Sequence, residues 1–546
     1  MDILNNISAA YENVKTAIKD KNSSNRLYNL KKHISSIQSQ LMLLCINVDS
    51  DEYIRSLAMY GYLTLLSAKT LPLSLIEKKN TLLTVFNDLK QHALREECLF
   101  ILLRVQNLLC YYLIQLDEIT LAKDILESME EIYEKIGHSK PDTYIDSEDL
   151  FKAEPINQIK RMNPEKIDKL ITNNIQMLAF LYNKLNMPQK YTLYNHTALR
   201  RQLEMKEGTP QDWALRTARL GNYFTYLNEL SNARYHLYAA YYILRTCHDN
   251  CKLIPEEFVL QKADFEIYFL ELSHYWVKYG LTLFKLSRKK ILTRYFAQEP
   301  SGADLWKAVD TKDGANIQDK MDENIKDAGS EKNEKGDHSD AVFVFPTLDL
   351  KNMERRVPLD CARNVEDARK LFSFTHKWLM RAKHYYDFEH HSAQYISCSL
   401  QLAELYEHLA FFEKNIDNQY RIQKRRAEVL ETLNSLLKTC DNVMSIQIDV
   451  IKELSQVQLE LMALNLQKLW REESQVNIFN LDNDADSIMN SLDSESNKTL
   501  TEKTLNTCSK NMFLRKMEAA TSLNAKLFRL SGHLAPVTPS ELSFEL

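Results

Sequence analysis

The chain is 546 residues long, and its 10 glycines and 12 prolines together make up about 4% of it, against roughly 12% in average usage. The closest two glycines are the seven residues from Gly329 to Gly336, so GxGxxG, GxxxxGK and GxSxG are absent; dinucleotide-binding folds, P-loop NTPases and the usual serine hydrolases lose their motif support. A net charge of −5, from 69 basic and 74 acidic residues, gives no global basic field for nucleic acid or an anionic membrane. Nine scattered cysteines, an odd count with no dense framework, read as reduced thiols of a cytosolic protein.

In chain order, the opening MDILNNISAAYENVK has no charged n-region followed by an apolar run, which reads as a chain without a signal peptide. Helical periodicity dominates from there on, and the expected class is all-α. The most apolar window, Cys98 to Leu116, holds Arg104, Gln106, Asn107 and Gln115 in its interior, so it reads as a buried amphipathic helix rather than a membrane span. Within it begins a spacing of the tetratricopeptide kind: Leu109-Cys110-x2-Leu113-x8-Ala122-x3-Leu126-x2-Met129. A weaker copy is Leu178-Ala179-x2-Tyr182-x8-Tyr191-x3-Asn195-x2-Ala198, and the best is Leu220-Gly221-x2-Phe224-x8-Ala233-x3-Leu237-x2-Ala240. Leu402-Ala403-x2-Tyr406 matches the first helix alone. The small residues let two antiparallel helices approach closely, while the large ones fill the space beside them. The three copies start 69 and then 42 residues apart, so the expected array is diverged, with elongated helices.

Cys247-His248-x2-Cys251 has ligand types one turn apart but no matching second pair, and reads as free thiols near a helix end. Residues 301–340 carry four glycines, 11 acids, 6 lysines and no arginine, the composition of a disordered insert or linker. VFVFP at 342–346 is either an extended segment docking on the helices or a plain loop. His384, His390 and His391 read as surface or core histidines. The run Arg421-x2-Lys424-Arg425-Arg426 lies on one charged helix, either a solvated face or a positive stripe that meets an acidic partner. Asp482, Asp484, Asp486 and Asp493 imitate a calcium loop, but Ser487 stands where the turn needs glycine; 472–503 reads as a solvated acidic loop. An amphipathic piece at 510–530 precedes the tail. The expected divisions are therefore an N-terminal helical-repeat lobe at 1–300, a disordered acidic insert at 301–350, a C-terminal helical lobe at 351–471, an acidic Asn/Ser-rich loop at 472–509, and a terminal helix and tail at 510–546.

The repeat register also names a groove, because helix A lines the inner face at offsets −5, −2, +2, +5 and +6 from the large apolar residue. These are Arg104, Asn107, Tyr111, Ile114 and Gln115 in the first copy, and Asn173, Gln176, Phe180, Asn183 and Lys184 in the second. The third gives Leu215, Ala218, Asn222, Thr225 and Tyr226. With Arg425 and Arg426 of the basic run, the candidate partner-binding residues are Arg104, Asn107, Tyr111, Asn173, Gln176, Phe180, Asn183, Asn222, Tyr226, Arg425 and Arg426. Such a mixture suits a protein ligand more than a reaction, and no residue is nominated as catalytic, cofactor-binding or metal-binding.

The stretches NNIQMLAFLYNKLNM from 173, HTALRRQLE, and DWALRTARLGNYFTYLNELSNARYHLYAAYYIL closely resemble the kinesin-binding protein family, also called KIF-binding protein. So do AKHYYDFEHHSAQYISCSLQLAELYEHLAFFEKN, QKRRAEVLETL and QNLLCYYLIQLDEITLAKDILESMEEIY, and the resemblance covers roughly 95–290 and 365–465. It implies a right-handed α-solenoid of tetratricopeptide-like antiparallel helix pairs in two lobes joined by a linker. It also implies a concave face that holds kinesin motor domains and a non-enzymatic role in controlling their engagement with microtubules, tied to axon growth. On this reading the protein is a cytoplasmic, cytoskeleton-associated monomer that needs no cofactor, binds no nucleic acid and has no membrane span. The competing reading is a generic tetratricopeptide scaffold or co-chaperone that takes short peptides.

Overall fold

With so few breaking residues, the periodic apolar positions run on into long helices, and their ends are set by capping groups. The computed structural model describes residues 2–19, 26–45, 51–137, 144–163, 165–251, 255–297, 343–350, 356–438 and 444–484. Sixteen α-helices make up most of these residues, and a single isolated bridge pairs Ile145 with Arg161. The chain divides into two compact units, one spanning Met1–Gly208 and one running from Thr209 onward. This division falls well before residue 300, because the helices on either side of that point share one stack.

The first unit contains α1 (Asp2–Lys19), α2 (Arg26–Leu44), α3 (Asp51–Thr70), α4 (Leu75–Lys90), α5 (Leu99–Gln115), α6 (Ile119–Glu127), α7 (Glu130–Gly137), α8 (Glu165–Lys184) and α9 (Pro188–Met205). From α1 to α6 each helix packs on the next, and α8 on α9. α5 is central, touching α3, α4, α6 and α8, and 14 of its 17 residues are buried. That all-round burial explains its membrane-like composition; among the described residues no helix is long and apolar enough to cross a membrane. α4 begins with a capping box, in which Ser74 Oγ accepts from Glu77 N at 3.2 Å and the Glu77 carboxylate accepts from Ser74 N at 2.9 Å. Buried polar groups tie helices together: Tyr133 of α7 donates to Gln106 Oε1 at 2.9 Å, and Asn174 of α8 donates to the same oxygen at 3.0 Å. Buried Arg55 donates to the carbonyls of Leu150 (2.7 Å), Glu154 (2.9 Å) and Lys152, holding the irregular stretch 144–163.

The second unit contains α10 (Pro210–Tyr226), α11 (Leu230–Cys251), α12 (Pro255–Ala297), α13 (Val365–Tyr385), α14 (Ser392–Phe412), α15 (Ile416–Leu437) and α16 (Met444–Asp484). Each packs on the next, and α12 also touches α10 and α14. Thr209, Asn364 and Asn415 cap α10, α13 and α15 by accepting from backbone N–H groups of the first turn. The candidate extended segment does dock: Phe345 is fully buried against Trp213, Tyr235 and His236, and Phe343 lies 5.1 Å from Phe224. α16 continues past Glu472, where a loop was expected, because neither glycine nor proline interrupts it before Asp484. The acidic insert at 301–340 and the pieces expected beyond 484 lie outside the described residues.

The repeat spacing appears as packing. All six marked residues of the first copy are fully buried, and so are those of the third. A Cβ on Gly221 would sit 2.9 Å from Leu237 Cγ. In the second copy, Ala198 is buried as marked but Tyr191 and Asn195 are only half-buried, and α9 buries Thr192 and His196, one position later, in their place. The reason is size: a tyrosine cannot serve as the small residue of a close crossing, so the helix turns Thr192 inward. All three pairs share a turn the spacing did not reveal. Asp117, Asn186 and Asn228 have φ of 59°, 53° and 62°, and the next residue's N–H reaches back to Leu113, Tyr182 and Phe224 carbonyls at 2.9, 2.9 and 3.0 Å. This is a helix C-cap in which Asp or Asn takes the left-handed conformation.

Four helices of the second unit meet around a buried ionic cluster. Arg426 is 2% exposed and pairs with Glu407 at 3.1 Å, with Glu453, and at 3.8 Å with Glu460. Arg288 of α12 reaches Glu407 at 2.9 Å and His408 Nδ1 at 2.8 Å, and Lys285 reaches Glu404 at 2.8 Å. Burial alone would raise the Glu404 and Glu407 pKa values. The neighbouring His408 and Lys285 for Glu404, and Arg426 and Arg288 for Glu407, outweigh it and hold both at about 2.

Two outcomes are expected. The Cβ of a Gly280→Ala variant would fall 2.0 Å from Thr375 Oγ1, so thermal melts should show it destabilised by about 1–3 kcal/mol. Adding Thr375→Ala should recover part of that loss, making the pair non-additive. For the cluster, depressed carboxyl pKa values contribute stability that is complete above the unfolded value near 4.5 and lost as pH falls toward about 2. Melting temperatures should therefore drop steeply in that window. Glu407→Gln should flatten the drop while lowering stability at pH 7 by about 2 kcal/mol, because it leaves Arg426 and Arg288 short of a partner.

Candidate functional site

The groove offsets sort into open and consumed positions. In α5, Arg104 and Tyr111 are half-buried and Gln115 is exposed, whereas Asn107 and Ile114 are buried. Asn107 donates to the carbonyls of Leu103 at 3.0 Å and Leu170 at 3.3 Å, so it joins α5 to α8 and faces no partner. In α8, Asn173, Gln176 and Phe180 are half-buried and Asn183 and Lys184 are exposed. In α10, Leu215, Ala218 and Thr225 are buried, leaving Asn222 half-buried and Tyr226 64% exposed. The −2 and +5 positions of the first and third copies are thus taken by packing, while +2 and +6 stay open on all three helices. One turn separates +2 from +6, so each A helix presents a single stripe.

Arg104 and Asn173 come together in a cleft of 170 Å³ in the first unit, with Phe100, Lys166, Lys169 and Leu170 in its wall. The Arg104 guanidinium lies over the rings of Tyr62 (5.3 Å) and Phe100 (5.4 Å). Lys166 reaches Asp146 at 2.7 Å. Lys69 stands close enough that its burial, then the Arg104 charge, lower its pKa. Lys166 and Lys169 were missed from the sequence, although they lie seven and four residues before Asn173 and so share its face of α8.

The basic run divides between two environments. Arg425 is exposed at the mouth of a cleft of 240 Å³ formed by α13, α14 and α15. Arg426 is the centre of the ionic cluster and is not part of any accessible stripe; one residue further along a helix points about 100° away, into the core. Arg421 and Arg369 line the same cleft as Arg425, with Phe372, Tyr406, Leu409 and Ile422 as its apolar surface. Phe372 lies 5.5 Å from Tyr406 and is stacked on His376 at 5.3 Å. Burial, then the Arg425 charge, lower the His376 pKa and favour its neutral form.

The remaining motifs resolve into packing. Cys247 and Cys251, neither of them in a disulfide, are half-buried at the end of α11, and the His248 ring packs on Phe265 and Phe269 at 5.5 and 5.8 Å. Asp387 in the α13–α14 turn accepts from the His390 backbone N at 2.7 Å, with the His390 ring Nδ1 at 2.9 Å. Among the described residues, no three His, Cys, Asp or Glu side chains are grouped to hold a metal ion.

Comparison with known proteins connects these elements to a family. A family profile described as "KIF-1 binding protein C terminal" matches residues 211–498, more than half of the chain and beginning two residues into the second unit. The KIF-binding protein of Drosophila melanogaster is 32% identical over 321 residues, 58% of this chain and 49% of its own length. That of Gallus gallus is 26% identical over 349 residues, 63% of this chain and 56% of its own. The chain thus spans about half the length of the curated relatives it matches. A solved chain described as "Cryo-EM map of KIFBP" aligns with 96% of this chain and 99% of its own at 16% identity and a TM-score of 0.44. By the profile match across its second unit, the chain belongs to the KIF-1 binding protein family.

Proposed function

We propose that this chain is a non-enzymatic regulator that binds kinesin motor domains. The open stripe of each A helix is a candidate contact, and a motor held on this chain cannot simultaneously grip a microtubule. Family membership across 211–498 carries this reading, together with relatives named for KIF binding. The open positions support a protein ligand: Tyr111, Phe180 and Tyr226 supply aromatic area, while Asn173, Gln176, Asn183 and Asn222 supply adaptable hydrogen bonds. Action in the cytoplasm, at the cytoskeleton and in axonal transport follows from that partner.

The test is a pull-down of purified motor domains by this chain, followed by co-sedimentation with microtubules. Motors should be retained on the chain and leave the microtubule pellet as its concentration rises; motors that stay in the pellet at saturation would overturn the exclusion step. Phe180→Asp and Asn222→Lys alter half-buried side chains on the open stripes. Each should weaken motor binding about tenfold, roughly 1.4 kcal/mol, with the thermal melt retained. Unchanged affinity in both would move the interface elsewhere. Competition by a short C-terminal peptide, with no motor retained, would instead establish the peptide-scaffold reading.

A further inference from the structure

The cleft between α13, α14 and α15 lies on helices that contribute nothing to the three repeat stripes, and its chemistry is more pointed than theirs. Its floor is apolar, built from Phe372, Leu409 and Ile422. Its volume of 240 Å³ is below the roughly 300 Å³ at which pockets for drug-sized ligands and cofactors begin. One bulky side chain is the occupant of the right size.

The rim decides what must flank that side chain. Arg421 and Arg425 stand one turn apart on α15, both exposed, and neither makes an ion pair among the described residues. The carboxylates near them are already engaged. Glu413, 6% exposed, pairs with Arg369 at 2.5 Å and accepts from Asn415 N, while Asp417, one turn before Arg421, takes Lys468 at 2.5 Å. Arg369, Arg421, Arg425 and Lys468 against the committed carboxylates of Glu413 and Asp417 leave the mouth positive, in a chain whose overall charge is −5. Guanidiniums in this arrangement match carboxylates bidentately.

We propose that this cleft is a docking site for an acidic peptide segment of a partner protein. One aromatic side chain fills the cleft, and carboxylates on either side of it meet Arg421 and Arg425. The site acts whether or not the partner is a kinesin motor, so its failure and the failure of the motor-binding reading are separate results.

The probe is a short fluorescent peptide with one phenylalanine flanked on each side by two glutamates, titrated against the full chain by fluorescence anisotropy. The wild-type chain should bind it, more weakly as salt is raised. Replacing the glutamates of the probe by glutamine, or its phenylalanine by alanine, should each weaken binding at least fivefold. Arg421→Glu with Arg425→Glu should weaken it at least tenfold, whereas Lys160→Glu, an exposed reversal on the first unit, should leave it unchanged. Should the double reversal lower the thermal melt, Arg421→Gln with Arg425→Gln decides: a loss of threefold or more upholds the site. Equal affinity of wild type and arginine variants, equal affinity for the glutamine probe, or no binding by the wild-type chain would overturn it.

Discussion

The structure depends on how closely its helices can cross. Long helices carrying large apolar residues stand well apart unless a small residue lies at the crossing, and here such residues are rationed. Gly221 meets Leu237, Gly280 meets Thr375, Gly61 meets Leu89, and Cys110 sits against the Ala122 carbonyl at 3.9 Å. A side chain at Gly280 would collide with Thr375 outright, whereas one at Gly61 would press only on the flexible ends of Leu89 and Val85. Three glycines of a glycine-poor chain are thus spent on helix contact rather than on loops. The turns inside the three repeat pairs do without them, using Asp117, Asn186 and Asn228 in the left-handed conformation that asparagine and aspartate tolerate best.

The second constraint is electrostatic. Arg426 sits among Glu407, Glu453 and Glu460, with Arg288 and Lys285 reaching the same region from α12 and His408 stacked on Phe284 at 5.5 Å. Removing these charges from water is costly, and such a cluster offers little net stability over an apolar core of the same volume. What it supplies is selectivity of packing, since a shift of α15 by one residue would strand a guanidinium in the interior. Helices α12, α14, α15 and α16 are thereby held in one register, which in turn fixes where Arg421 and Arg425 emerge.

These two constraints explain what could be read from the sequence. The helical class, the first and third repeat pairs and the docking of Phe345 were legible, because periodicity, small-residue spacing and an isolated aromatic pair report local demands. The second pair was legible in α8 but misregistered in α9, because a spacing template cannot tell that Tyr191 is too large for its place. Arg425 and Arg426 were indistinguishable as letters; only the positions of Glu407 and Glu453, 19 and 27 residues away from Arg426, make one of them internal. The same holds for Asn107, whose partner is the Leu170 carbonyl on another helix. Lys166 and Lys169 were detectable by face-sharing with Asn173, had the helix been followed two turns further upstream.

This sorting bears on how such a chain recognises a partner. A repeat groove is usually pictured as a continuous lining, yet here the −2 and +5 positions of two copies are consumed by contacts to neighbouring helices. α5 and α10 are left with a narrow stripe and few side chains to spend, whereas α8 keeps all five positions accessible. Narrow stripes discriminate weakly one at a time, since most interface residues contribute little and a few anchors dominate. Where the packing opens into clefts, however, cations outnumber acids: Arg104, Lys166 and Lys169 against Glu207 in one unit, Arg369, Arg421 and Arg425 against Glu413 in the other. On the proposed reading, local concentrations of this kind steer encounter with an acidic partner surface, each within its own unit.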